Sequence, residues 1–106
     1  MVNIKIDVKN MEISVDGHAN TAPPGYDLVC CSISTLVETL SVYLEHQMDE
    51  GKIRDLKEER VIGHVYINAS PYGWSLEETQ TAFSVIRYGL LALAETYSGC
   101  IKVKEE

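Results

Sequence analysis

The chain has 106 residues, of which 45% are hydrophobic, and its 9 basic and 16 acidic side chains give a formal net charge of -7. This length and composition suit a single domain, residues 1–106, with one core. The acidic balance opposes binding to nucleic acid or to an anionic membrane surface, since both need clustered lysine and arginine, and it favours a cationic partner.

The first sixteen residues predict a β-hairpin. Apolar residues alternate with polar ones from Val2 to Val8 and again from Met11 to Val15, the period of two expected for half-buried strands. Such a segment lacks the continuous apolar core of a secretion signal, and three cysteines, two of them adjacent, make a poor disulfide framework. We therefore expect a cytoplasmic protein with no membrane partner.

Residues 19–26, ANTAPPGY, predict a loop, because two prolines and a glycine stop a strand and disfavour a helix. Asp27 is a suitable N-cap for the long helix predicted from about residue 27 to 49, whose apolar residues recur at helical spacing. The charged segment 49–60, DEGKIRDLKEER, is interpreted as a solvated linker or a frayed helix end.

The second half predicts a strand, a helix and a short final strand. The segment 60–70, RVIGHVYINAS, is rich in β-branched and aromatic residues, and it is predicted to be central because both faces are largely apolar. Ser75 and Glu78 fit a capping box for the second helix, which is predicted to end at Ser98 and Gly99 before CIKVK. The order ββαβαβ predicts an α+β fold, a two-layer α/β sandwich with two helices on one face of a four-stranded sheet.

A candidate nucleophile and base lie where the second strand ends and the first helix begins. A thiol attacks as a thiolate, which a helix N-terminus and a nearby imidazolium both favour, and Cys30 follows Asp27 by three residues. On a helix, Cys30 shares a meridian with Val37 and Leu44, at the edge of the core-facing stripe. His18 can fold back over the helix start across the Pro-Gly loop, as a Cys-His pair requires.

Other interpretations of these residues stay open. Free cysteine is often buried, and a lone histidine is more often structural than a base. Zinc binding by His18, Cys30, Cys31 and a further histidine or cysteine is disfavoured, because adjacent helical cysteines diverge and no C-x-x-C spacing occurs. We therefore predict neither a metal nor a cofactor. Asp27 either caps the helix or also orients His18.

Two further motifs receive structural interpretations. The aromatic turn Tyr72–Trp74 precedes a helix, and such residues more often pack against the helix than serve as a substrate platform. His64 repeats the Gly-His dipeptide inside a strand and is expected to be a structural or cross-strand residue.

The residues from 17 to 34 form a specific pattern: G-H-A, a loop, G-x-D-x-V-C, and a small-residue helix segment that contains S-x-S. This pattern resembles the ribosomal-processing cysteine protease family, known as Prp. The resemblance extends over the whole chain to the ending GLLALAETYSGCIKV. The matching positions are Gly17, His18, Ala19, Gly25, Asp27, Val29, Cys30 and Ser34.

The resemblance implies that Cys30 is the nucleophile, His18 its general base and Asp27 a partner in the site. It implies an enzyme that removes an N-terminal extension from a large-subunit ribosomal protein, that forms a homodimer, and that carries a loop over its site at about residues 18–26. The expected substrate contacts are Gly17, Ala19, Gly25, Tyr26 and Ser34.

The alternative function is a non-catalytic, dimeric binding module for a basic protein, with Cys30 a buried thiol. Rapid alkylation of Cys30 that slows in a His18→Ala variant would favour the protease, whereas an inert thiol would favour the module.

Overall fold

The computed structural model describes residues 1–17 and 26–106, with only the backbone described at residues 26 and 27. Within these residues the chain forms five strands and two α-helices in the order ββαββαβ, with a short 3₁₀ turn at Gly73–Ser75. The elements are β1 (Val2–Asp7), β2 (Glu12–Asp16), α1 (Tyr26–Asp49), β3 (Ile53–Val61), β4 (His64–Pro71), α2 (Leu76–Thr96) and β5 (Ile101–Glu105).

The strands form one sheet in the order β3-β4-β2-β1-β5. β1 and β2 pair antiparallel, as the alternating sequence predicted, while β1 pairs with β5 in parallel. The register places Asn3 opposite Asp16, and Asp16 opposite His64, at one end of the sheet. We call this end the Gly17 end. The start of β3 and the end of β4 pair at the opposite end, where Ile53 faces Pro71.

β3 corrects the interpretation of residues 49–60 as a linker. Ile53 is buried in the core and Leu56 is partly buried against it, so the segment is anchored to the core by two apolar side chains. Its many charged side chains are typical of an edge strand, where they discourage pairing with other chains. The sheet therefore has one strand more than predicted.

The single strand predicted at 60–70 is in fact the end of one strand and most of the next. Arg60 and Val61 end β3, a turn at Ile62 and Gly63 follows, and β4 begins at His64. Gly63 has a φ of 80°, a conformation that glycine adopts without strain. β4 is internal, as expected, since it lies between β3 and β2. Its faces alternate, however, and Ile67 and Ala69 are the buried residues of the core-facing side.

The predicted capping box at the start of α2 is wrong. Ser75 makes no side-chain bond to the helix N-terminus, and its buried hydroxyl instead donates to the carbonyl oxygens of Lys52 and Tyr72. Glu78 accepts hydrogen bonds from Tyr43 and Lys52. Ser75 thus joins the start of α2 to the chain entering β3.

The core lies between the two helices and one face of the sheet. Phe83, Ile86 and Leu90 of α2 recur at helical spacing and are buried there against the apolar residues of β1, β2 and β4. α1 covers the β3 side and α2 the β5 side. Residues of the opposite sheet face, such as Lys5, Ser14 and Tyr66, are cross-strand neighbours of one another, so that face is mostly polar.

α1 is long and apolar enough to cross a membrane by length and composition, since a window of it has a mean hydropathy of 1.4. A helix that packs into a protein core meets the same criterion. Here Val29, Ile33, Val37, Leu40 and Leu44 recur at helical spacing and are all buried against the sheet and α2.

Candidate active site at the start of helix α1

Gly17 ends the described part of the second strand, immediately before His18. Its φ is 113°, and its amide donates to the carbonyl oxygen of Gly63 across 2.9 Å. A Cβ atom at this position would lie 2.5 Å from the carbonyl oxygen of Met1. The chain therefore needs glycine at residue 17 to leave the sheet here, which is a structural reason for a residue predicted to contact substrate.

His64 lies beside this exit. Its Nδ1 is 2.5 Å from a carboxylate oxygen of Asp16, its cross-strand neighbour, so its predicted cross-strand role is confirmed. Together with the bond from Gly17 to Gly63, this pair fixes the end of β2 against the β3–β4 turn. The backbone is thus held by hydrogen bonds to neighbouring strands up to Gly17, the residue before His18.

Helix α1 approaches the Gly17 end from the other layer. Its last residue, Asp49, is followed closely by Ile53 at the opposite end of the sheet. A helix of 24 residues is about 36 Å long, so its first turns reach back to the Gly17 end.

Cys30 lies in the second turn of α1 and is partly buried. Eleven residues later, Ser41 is buried and hydrogen-bonds to Glu58 and Arg60 of β3. Residues eleven apart differ by only about 20° around a helix, so Cys30 occupies the flank of α1 that faces the β3–β4 hairpin. This is also the hairpin whose turn receives the hydrogen bond of Gly17.

The N-terminus of α1 offers backbone donors close to Cys30. In any α-helix the amides of the first four residues lack acceptors inside the helix, here those of residues 26–29. They are suited to hold a negatively charged oxygen. Asp27 is the second residue of α1, so its predicted place as the N-cap moves into the first turn, where a carboxylate is favoured by the helix dipole.

The remaining candidates divide between described and undescribed residues. Ser34 is exposed one turn after Cys30 and is accessible to a substrate. Cys31 is exposed and turned about 100° away from Cys30. The structure does not describe residues 18–25, which include His18, Ala19, Gly25 and nearly all of the proposed loop at 18–26. It describes the backbone of Tyr26 and Asp27 but not their side chains.

Sequence reasoning missed the β3–β4 turn as part of this region. Val61 and Ile62 at its tip are exposed, Ile62 by 94%, on the side of the molecule where Gly17 leaves the sheet. A glycine between two alternating segments indicates a hairpin turn, but Gly63 was placed inside the single strand predicted at 60–70.

The family model described as cysteine protease Prp matches residues 1–102. The chain belongs to the cysteine protease Prp family. The match spans both sides of the site and nearly the whole sheet, so the resemblance seen in the sequence is confirmed, and the chain is a cysteine protease.

Solved structures share the fold. The ribosomal processing protease Prp from S. aureus, in complex with a substrate peptide, is 19% identical with a TM-score of 0.76, and each chain covers 100% of the other. The same protein with a covalently linked product peptide gives 20% and 0.72 at the same coverage. A Streptococcus mutans protein is 23% identical with a TM-score of 0.70, covering 98% of this chain and 90% of its own. A search of curated proteins finds no match.

Proposed function

We propose that this protease removes an N-terminal extension from a large-subunit ribosomal protein, with Cys30 as the nucleophile and His18 as the general base. The observation that carries the proposal is the position of Cys30, in the second turn of α1 and on the flank that faces the hairpin to which Gly17 is bonded. His18 follows Gly17 directly. Family membership supports a cysteine nucleophile, and the substrate is suggested by the S. aureus protease.

The chemistry requires one imidazole to accept and then donate a proton in each half-reaction, acylation and deacylation. His18 accepts the proton of the Cys30 thiol, and the sulfur attacks the scissile carbonyl carbon to form a tetrahedral intermediate. First-turn amides of α1 or the Gly25 region would stabilise its oxyanion. The C–N bond then breaks as the imidazolium protonates the leaving amine, which gives a thioester. Water attacks the thioester as His18 takes its proton, the C–S bond breaks to release the carboxylic acid product, and the proton on His18 returns to the Cys30 sulfur. The proposed role of Asp27 is to orient or charge-stabilise His18.

The substrate is proposed to contact Gly17, Ala19, Gly25, Tyr26 and Ser34. The exposure of Ser34 one turn from Cys30 supports this assignment on the helix side. A net charge of -7 suits a basic ribosomal protein by long-range attraction. The enzyme is proposed to act in the cytoplasm, as one domain in each subunit of a homodimer, without metal, cofactor or nucleic acid.

The test is cleavage of a ribosomal protein that carries its N-terminal extension, followed by intact mass spectrometry. We expect wild-type protein to release the extension, and we expect Cys30→Ala and His18→Ala to lower the rate by about a thousandfold or more, as when a nucleophile or its base is removed. Cys31→Ala is the matched control, because it removes an adjacent thiol on another face of the same helix. It should retain activity within about twofold.

Cleavage that survives in Cys30→Ala and is lost in Cys31→Ala would overturn the assignment of the nucleophile. If folded, reduced wild-type protein leaves the extension intact while iodoacetamide modifies Cys30 rapidly, the protease acts on a different substrate. Circular dichroism of each variant shows that the comparison is made between folded proteins.

A further inference from the structure

A concave surface lies between the two helices, away from Cys30. On the outer side of α1 and α2, a groove of about 720 Å³ has an apolar floor that includes Leu40, Ala82 and Ile86. A smaller cleft of about 430 Å³ lies between the same helices nearer the Gly17 end and reaches Ser32, two residues after Cys30. We call the larger one the α1–α2 groove.

Aromatic and acidic side chains line the α1–α2 groove. Trp74 is 71% exposed and lines the groove, and its ring is stacked on Tyr72 with centroids 6.4 Å apart. The expectation that this aromatic turn packs against the helix is therefore wrong for Trp74. Glu77 and Glu78 also line the groove, and no lysine or arginine does so among the described residues.

The two carboxylates are not equivalent. Glu78 accepts a hydrogen bond from Tyr43 and pairs with Lys52 across 3.5 Å, and Lys52 also pairs with Glu50. Glu77 forms no ion pair with any of the described residues. Burial raises the pKa of Tyr43 above its usual range, and the charge of Glu78 adds to the rise, which agrees with a negative potential in the groove.

We propose that the α1–α2 groove binds a lysine- or arginine-bearing segment of the protein substrate, downstream of the bond that Cys30 cleaves; this rests on the function proposed above. An exposed indole face and a free carboxylate together recognise a cationic side chain, while the apolar floor takes the aliphatic part of its stem. Proteins that bind ribosomal RNA carry such segments, because they must neutralise phosphates.

The geometry sets how far downstream the segment lies. Cys30 and Tyr43 are thirteen positions apart on α1, which is about 20 Å along the helix. An extended peptide needs at least about six residues to cover this distance, because it must also pass around α1 from the Cys30 flank to the groove. We assign the segment to the processed protein because the basic residues that neutralise RNA phosphates belong to it. A short peptide around the scissile bond does not reach the groove.

The experiment compares two substrates, the extended ribosomal protein and a synthetic peptide that ends about four residues after the mapped cleavage site. For Glu77→Lys and Trp74→Ala, we expect kcat/KM on the protein to fall about fivefold to tenfold, mainly through KM, because a rim charge or a cation-binding ring is lost. The rate on the peptide should stay within about twofold, since the peptide ends before the groove.

Glu95→Lys is the matched control. Glu95 is exposed on the same helix and outside the α1–α2 groove, and its replacement makes the same change in net charge as Glu77→Lys. It should leave the preference for the protein unchanged. If Glu95→Lys lowers the rate on the protein as much as Glu77→Lys does, the effect is one of overall charge and the groove is not the binding surface.

Three other outcomes would overturn the proposal. Equal losses on protein and peptide would place Glu77 and Trp74 in stability or catalysis, and no loss on either substrate would show that the groove is not used. Dissociation of a dimer into monomers in either variant, measured by light scattering, would make the groove a subunit interface.

A binding measurement separates this proposal from the cleavage reaction. The Cys30→Ala variant is titrated calorimetrically with the processed ribosomal protein, which lacks the extension. The titration is then repeated with a double variant that carries both Cys30→Ala and Glu77→Lys. Binding that weakens about fivefold or more in the double variant supports the groove. If wild-type protein cleaves neither substrate, the proposed function fails, but this titration still tests the groove. Absence of binding would then overturn the proposal for the groove as well.

Discussion

The residue that most constrains the site backbone is Gly17. It combines a positive φ, a hydrogen bond to the β3–β4 turn and a close approach to the carbonyl of Met1. None of these requires a substrate. The glycine of the Gly-His motif is therefore explained by the way the chain leaves the sheet at residue 17.

Gly17→Ala is expected to lower the free energy of unfolding by about 1–3 kcal/mol, because alanine is strained at this φ and its Cβ would displace the backbone of Met1. Urea denaturation followed by circular dichroism measures the change. Gly99→Ala serves as the control, since a Cβ at Gly99 meets no atom within 4 Å, and it should shift stability by less than about 0.5 kcal/mol. Equal effects of the two substitutions would contradict this account.

At the scale of elements, a polar contact joins α1 to the edge strand β3. Ser41 is fully buried, donates to Glu58, and accepts from Arg60 across 2.7 Å. Arg60 also reaches Glu38 of α1 across 2.9 Å. Burial opposes the charge of Arg60, but hydrogen bonding and the charges of Glu38 and Glu58 raise its pKa overall. The helix that carries Cys30 is thus oriented on the sheet by hydrogen bonds as well as by apolar packing.

Ser41→Ala should destabilise the protein by about 1–3 kcal/mol, because it removes the hydroxyl that bonds to Arg60 and to the carboxylates of Glu58 and Glu45 at a part-buried contact. The control is Thr39→Ala on the same helix, where the hydroxyl is exposed and bonds only to a carbonyl of its own helix. That change should stay within about 0.5 kcal/mol. Thermal unfolding of both variants makes the comparison, and a Ser41→Ala protein as stable as wild type would show that this contact is dispensable.

Much of the architecture was predictable at this scale because burial follows periodicity. β1, β2 and both helices were found from alternation or helical spacing. β3 was missed because an edge strand needs few apolar residues, and Ile53 and Leu56 were too sparse a signal among charges. The capping box failed because the buried hydroxyl of Ser75 found tertiary partners, which local sequence does not reveal.

The candidate site shows the same division. The helical position of Cys30 and its distance from Cys31 around α1 follow from the sequence and agree with their burial. That the β3–β4 turn lies beside Gly17 does not follow, because it depends on which strands are neighbours in the sheet. Cys30 and His18 were named from spacing and resemblance, and their pairing remains a prediction.

For the molecule as a whole, the first and the last of the described strands are neighbours in the sheet. β5 pairs in parallel with β1, so Val2 lies opposite Ile101, and Ile101 is buried with the β1 residues in one core. Deletion of residues 101–106 is expected to leave the chain unfolded. The deletion exposes apolar surface of β1 and α2 and removes one of the two strands that pair with β1.

Amide dispersion in a two-dimensional NMR spectrum distinguishes folded from unfolded protein in this experiment. Removal of Glu106 alone is the control, since it takes away one exposed ion pair with Lys5 and one backbone hydrogen bond to Ile6, and dispersion should persist. A well-dispersed spectrum from the longer deletion would show that β5 is not needed for the fold.

The pairing of β1 with β5 has a consequence for how the protein is made. Synthesis proceeds from β1 to β5, so one edge of β1 has no strand partner until residues 101–105 have been added. Contacts between residues far apart in the sequence form late, and an unpaired strand edge favours aggregation in the meantime. The sheet is therefore expected to be completed only after β5 has been synthesised, and until then the charged side chains of β1 protect its open edge from aggregation.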